Sequence, residues 1–357
     1  MADQEWNPHC PVPTAGPVPA AESDERITLA HGEGGRLARR LVEQRIVPKL
    51  FNTTLARLGD AALLPQCEHR LAFTADSFVV SPLFFPGGDI GTLAVFGTAN
   101  DLAVAGARPR WLSLSFILEE GLPLDVFDRV LTSIAGAAAR IDVQIVTGDT
   151  KVVPRGVADR MFIQTSGIGE LVAPPPPGPA ALVPGDELLV SGPIGRHGIA
   201  VLSAREGLAV EPAPTSDCGP LFDAVEALRA KGIKVRAMRD ATRGGVAAVL
   251  HEWAQASHAT LAINERQLPV TPDVRGVCEL LGLDPLHVAN EGTMVVAVEA
   301  GEAGNALAAL HHHANFHRAA RIGTVEPAGL APVVVRRALG RAQPLDEPLG
   351  APLPRIC

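Results

Sequence analysis

The chain has no tyrosine, and aromatic residues make up only 4% of its 357 positions. Its cores must therefore be built from Ala, Val, Leu and Ile. Basic residues are outnumbered: 31 Lys and Arg face 39 Asp and Glu, a net charge of -8. Such a surface repels phosphate backbones and anionic lipid, which argues against nucleic-acid and membrane partners. No apolar run is long enough to span a bilayer, and the start, MADQEWNPHCPVPTAGPVPA, lacks the basic-then-apolar order of a signal peptide. The five cysteines, at 10, 67, 218, 278 and 357, show no CxxC spacing. That excludes a disulfide framework or zinc knuckle and fits reduced thiols in the cytoplasm. GxxxxGK[ST], HExxH and a Rossmann GxGxxG are all missing, so any phosphate chemistry uses another device.

What is present divides the chain. Residues 1–26 are polar and proline-rich without period, the signature of a disordered extension. In 27–172, LAHGEGGRLARRLVEQRIVPKL opens on a glycine-rich turn, His31 to Gly35, with Leu37, Leu41 and Ile46 roughly on one helical face. Strand and helix patterns then alternate: RLAFTADSFVVSPLFF, DIGTLAVFGTANDLAVAGA, PRWLSLSFIL, PLDVFDRVLTSIAGAAARI and DVQIVTGDTKVV. Four successive prolines mark a linker at 173–180. The mixture resumes in 181–340, so two α/β units in tandem with mixed sheets are expected. Residues 341–357 carry Pro344, Pro348, Pro352 and Pro354, and predict an extended, flexible tail. Measured from Leu339, such a tail would reach on the order of 55 Å at about 3.1 Å per residue.

The chemistry-bearing residues fall in a few strings. Asp76 lies at a strand edge, Asp101 in a helix of small residues and Asp240 between a strand and a helix. Carboxylates so placed can bridge magnesium to phosphates; taken singly, Asp101 is equally a solvated helix residue and Asp240 an N-cap. In IVTGDTKVV, Gly148, Asp149, Thr150 and Lys151 follow an apolar strand, where glycine allows close approach and lysine can hold a phosphate. Arg243, Gly244 and Gly245 in DATRGG lead into a helix N-terminus, an anion-binding device. SGPIGRHG is a third glycine turn. Each of these also reads as plain turn chemistry. Glu291, before an apolar strand, is a solvated charge or, if buried, a general base. His313 and His317 have helical i,i+4 spacing but no third metal ligand.

Taken together, TADSFVVSPLFFPGGDIGTLAVFGTANDLAVAGARP, FILEEGLP, IVTGDTKVVPRG, RDATRGGVAAVLHE, VRGVCELLGLDPLHVANEG and the terminal PLPRIC resemble the hydrogenase maturation HypE family. That family lies within the PurM, or aminoimidazole ribonucleotide synthetase-like, superfamily. The resemblance runs from about residue 27 to the end. It implies a two-domain PurM-like α/β fold with a β-rich N-terminal part forming a homodimer. It also implies ATP-dependent carbamoyl dehydratase activity, which turns an S-carboxamide on Cys357 into a thiocyanate and supplies cyanide to nickel–iron hydrogenase. The implied partners are the carbamoyltransferase HypF and the iron-carrying HypC–HypD complex.

Carried over by residue, Cys357 is the carrier, with Lys151 and Glu291 at the reacting group. Asp76, Asp101, Asp240 and Asp60 would hold Mg2+ and the ATP phosphates, and His31, Gly34 and Gly35 would form a mobile cover. The sequence departs from the expected pattern at Ala61, Arg196 and Thr293. Two rival readings remain: another PurM-superfamily kinase or synthetase, or a non-enzymatic thiol carrier.

Overall fold

The computed structural model describes residues 26–31, 35–58, 62, 64–337, 340–348 and 356. Residues 1–25, Gly34, Asp60, Ala61 and Cys357, about which the sequence raised expectations, lie outside them.

The first unit begins with α1, Gly35–Leu41, continued by a wider turn at Val42–Ile46 into α2, Val47–Leu50. Leu41, Ile46 and Leu50 are buried, whereas Leu37 faces solvent, so the apolar face is narrower than the spacing suggested. Then follow β1, Leu71–Phe78, a small hairpin of β2, Phe84–Phe85, and β3, Gly88–Asp89, and α3, Ile90–Val104. Next come β4, Ala107–Glu119, α4, Leu124–Arg140, β5, Gln144–Val153, and β6, Met161–Leu171. The sheet order is β1-β6-β4-β5, antiparallel except for the parallel β4–β5 pair. β6 escaped the sequence reading because its centre, Gln164 to Gly167, interrupts the apolar alternation with polar and small residues.

α4 buries Phe127, Val130, Leu131, Ile134, Ala137 and Ala138, a helical stripe that packs on one side only. α3 differs, being buried almost all round. Asp89 caps it, accepting the N–H groups of Gly91 and Thr92, while the Thr92 hydroxyl accepts the Asp89 N–H. A helix apolar on every face must lie between layers. Accordingly, α3 packs on the first sheet, and its Ala103 joins a core of the second unit.

The second unit comprises β7, Glu187–Val190, α5, Arg196–Glu206, α6, Phe222–Ala230, β8, Val235–Asp240, α7, Gly245–Ser257, and β9, Thr260–Asn264. It continues with α8, Pro272–Leu281, β10, Met294–Val298, α9, Ala303–His311, β11, Ala320–Glu326, β12, Val333–Arg336, and β13, Ala342–Pro344. Its seven-stranded mixed sheet has the order β13-β12-β9-β11-β7-β10-β8. α7 contributes Trp253 to one core, and α6 and α9 build another. The protein is thus a two-unit mixed α/β molecule, and the described strands form open sheets. No helix among the described residues is long and apolar enough to cross a membrane.

Two expectations need correction. The tail does not leave the body at residue 341. Residues 342–344 pair with β12, Leu345 is buried, and His251 and His287 contact the carbonyls of Leu345 and Asp346 at 3.1 and 2.9 Å. Proline is tolerated here because β13 is an edge strand. The second correction concerns His313 and His317. α9 ends at His311, so the pair has no helical spacing, and Phe316 between them is buried.

Candidate active site

Period-2 geometry aims Thr74 and Asp76 from β1 to the same face, towards α3. The Thr74 hydroxyl donates to Asp101 on α3 at 2.8 Å. Asp240, the last residue of β8, completes the group from the second unit. Burial pushes all three carboxyls up, and their mutual repulsion adds to this at Asp101 and Asp240; Asp240 is pushed up to about 7. Arg243 partly offsets the effect at Asp76, and Arg239 does so at Asp101 and Asp240. The three aspartates therefore form one electrostatic cluster from three elements. They do not form a closed cage: among the described residues no group of three or more His, Cys, Asp or Glu side chains stands ready to hold a metal. Self-repelling carboxylates spread apart, and Mg2+ in phosphate sites takes only one or two of them, completing its shell with phosphate and water. The donor set fits that pattern. Gly244 and Gly245, at positive φ, turn the chain into α7; a side chain at Gly245 would strike the carbonyls of Leu286 and Val288.

The GDTK string belongs to the strand that the DVQIVTGDTKVV pattern predicts, rather than to its end. Gly148, Asp149, Thr150 and Lys151 lie inside β5, not beyond it. Glycine is required at 148 because a Cβ would lie 2.0 Å from the Leu114 carbonyl on β4, so the close approach is strand to strand. These residues, with His31, Leu50, Leu55 and Phe116, line a cavity of about 330 Å³. It joins the His31 segment to the GDTK strand. Within the single chain Lys151 and Glu291 do not pair with each other. Lys151 is 64% exposed and bonds Asp149, two residues along the same strand and hence on its own side of the sheet.

Glu291 belongs to a different setting, only 3% exposed. Asp217 accepts the N–H groups of Glu291 and Gly292 at 3.1 and 3.0 Å. Asn100 on α3 donates to the carbonyls of Glu291 and Gly219, both at 3.0 Å, and accepts the Leu221 N–H at 2.8 Å. Gly97 on α3 makes room for the Phe78 ring, which a Cβ there would meet at 2.9 Å, and the Glu291 carboxylate lies just beyond. Next to it, Asn290 accepts the Gly195 N–H at 2.7 Å and donates to the Ala241 carbonyl at 2.8 Å. One buried amide thus ties the SGPIGRHG, DATRGG and NEG strings together.

Burial pushes the Cys218 thiol well up, and the charges of Glu291, Asp217 and Asp89 push it further. Cys218 is therefore a poor nucleophile beside the carboxylate. The end of the chain reaches this region: Ile356 is 3% exposed, packed in one core cluster with Phe85, Val201 and Ala289. Sequence reasoning missed Ser216, Asp217, Cys218, Asn100 and Asn290. Asn100 and Asn290 adjoin the candidates Asp101 and Glu291, whereas Ser216, Asp217 and Cys218 lie in none of the strings singled out for chemistry.

Comparison with known proteins agrees with this architecture. Residues 58–171 match the N-terminal domain of AIR synthase related proteins, and 183–335 match the C-terminal domain. The carbamoyl dehydratase HypE of Escherichia coli K12 is 49% identical over 338 residues, covering 93% of this chain and 99% of that protein. A solved HypE in complex with ATP superposes with a TM-score of 0.88 at 45% identity, covering 92% of this chain and 99% of that one. A HypE–HypF complex gives 0.76 at 43% identity, over 86% of this chain and 99% of the other.

Proposed function

Because the chain belongs to the carbamoyl dehydratase HypE family, we propose that it uses ATP to dehydrate an S-carboxamide on Cys357 to a thiocyanate, for the cyanide ligands of nickel–iron hydrogenase. The observation that carries this reading is the buried Ile356, which brings the chain end to the core beside the Glu291 loop. The alternative of a small-molecule kinase gives no reason for a tail held there.

The balance is R–S–CO–NH2 plus ATP giving R–S–C≡N, ADP, phosphate and a proton. Oxide or hydroxide is a poor leaving group, the pKa of water being about 15.7 against about 6 for the second phosphate ionisation. Moving the γ-phosphoryl group to the amide oxygen makes that oxygen a good leaving group. Glu291 takes a nitrogen proton as the phosphate departs. Sulfur suits the carrier because a thiolate both attacks and leaves well.

Asp76, Asp101 and Asp240 would hold Mg2+, which when bound neutralises phosphate charge. Arg243 and the α7 N-terminus would contact phosphate. The cavity between His31 and Lys151 has an apolar wall for a base and a lysine for phosphate. Yet β5 and β1 lie at opposite edges of the first sheet, about 14 Å apart at ~4.8 Å per strand. Two copies joined through their first sheets would bring such edges together, and Phe73, 70% exposed on β1, is an apolar contact for that homodimer. HypF is the proposed carbamoyl donor and HypC–HypD the acceptor, in the cytoplasm.

Intact mass tests the proposal. After carbamoylation by HypF, ATP should remove the mass of one water from the wild type, and Cys357→Ala should acquire no carbamoyl group at all. A thiocyanate formed on another cysteine would overturn the carrier assignment.

A further inference from the structure

His197, in the first turn of α5, is fully buried and takes no part in the proposed reaction. It packs edge-on to Phe85 at 5.3 Å. Nε2 lies 2.9 Å from the carbonyl oxygen of Ile356, and Nδ1 lies 2.8 Å from Ser216 Oγ. A carbonyl only accepts, so Nε2 carries the proton and donates. Ser216 Oγ accepts the Cys218 N–H at 3.0 Å, which leaves its own proton for Nδ1. A neutral ring satisfies this chain from end to end. Burial also pushes the imidazole towards neutrality, against the opposing pull of the Ile356 carbonyl and the Asp217 charge.

The Ile356 carbonyl belongs to the peptide bond that joins Cys357, the proposed carrier. We infer that His197, oriented by Ser216, is a positioning residue that seats the tail by the Ile356 main-chain carbonyl, while the buried Ile356 side chain supplies the apolar half of the seat. Ser216 is adjacent to Asp217, which clamps the Glu291 loop. One short segment, Ser216 to Cys218, therefore fixes both the tail and the carboxylate proposed to act on it. A histidine that merely filled the core would leave the tail unaffected.

The inference rests on the carrier role proposed for Cys357, but its test needs neither ATP nor a partner enzyme, so the two can fail separately. The full-length protein is treated with iodoacetamide, and the alkylation rate of each cysteine is followed by peptide mass spectrometry. Cys357 should react more slowly than in urea-unfolded chain. His197→Leu should accelerate Cys357 about fivefold or more, the effect of one lost hydrogen bond, with Cys67 unchanged. His197→Gln, which keeps an N–H donor, should restore most of the protection.

Should His197→Leu fail to fold, seen as joint acceleration of Cys67 and Cys278, Ile356→Ser decides. It alters only the tail and should expose Cys357 alone. The inference is overturned by a folded His197→Leu protein with wild-type Cys357 reactivity, by a wild type no slower than unfolded chain, or by an Ile356→Ser protein that stays protected.

Discussion

The aspartate cluster and the Glu291 loop beside the tail seat meet α3 at neighbouring residues, Asp101 and Asn100, yet they are built on opposite principles. Asp76, Asp101 and Asp240 are charges pressed together, each raised by burial, Asp101 also by Asp76, and Asp240 also by Asp101 and Asp76. Around Glu291 the main chain is satisfied instead, by Asp217 and Asn100. His197 likewise has a partner for each ring nitrogen. A site for a ligand from solution is left electrostatically incomplete, so that the ligand is what relieves it. A site for the protein's own chain end is already complete when the protein folds. Removing charge should therefore stabilise the ligand-free first site and harm the second.

The largest expected effect is at Glu291. Glu291→Gln should slow single-turnover dehydration by about 10²–10⁴-fold, the usual contribution of a general base, and the carbamoylated mass should persist with ATP present. Dehydration at the wild-type rate would make Glu291 structural.

Asp240→Asn should separate stability from binding. In the unfolded chain Asp240 ionises near 3.8, whereas the folded protein holds its proton up to about 7. The favourable contribution is therefore full below 3.8 and is lost as pH rises through about 7. The variant cannot ionise, so at pH 8 without ligand it should melt a few degrees higher than the wild type, with a smaller difference at pH 5. Its Mg2+-dependent ATP affinity should fall at least about tenfold, as one charged contact is lost. A lower melting temperature at pH 8 would break the contrast between the two sites.

In the tail seat the same chemical change should have the opposite sign. Asp217→Asn leaves one of the Glu291 and Gly292 N–H groups facing an amide N–H2 and should destabilise by about 1–3 kcal/mol, read as a lower urea midpoint. Thr74→Val is the mildest probe. It removes the hydroxyl that favours ionised Asp101, so the Asp101 carboxyl should rise further in a carbon-13 NMR titration, with little change in melting temperature.

Much of this molecule could be read along the chain. The stripe of α4, the all-round apolar α3, the proline break after Leu171 and the three aspartates follow from residues a few positions apart. β6 could not be read, since Thr165 and Gly167 become interior only through α3 and β4. The glycine at 148 was legible as a requirement but not as to its cause, which is the Leu114 carbonyl on another strand.

The sequence by itself therefore determined the two α/β units, the acidic strings and a terminal cysteine behind prolines, because periodicity, turn chemistry and steric limits act between near neighbours. Only the tertiary structure decided that Asp217 and Asn100 hold the Glu291 loop, that Lys151 bonds Asp149, and that His197 meets Ile356. Asn100 and Glu291 are 191 residues apart, and His197 and Ile356 are 159 apart. Hydrogen bonds act over about 3 Å and leave no periodic trace in the chain that supplies their two ends.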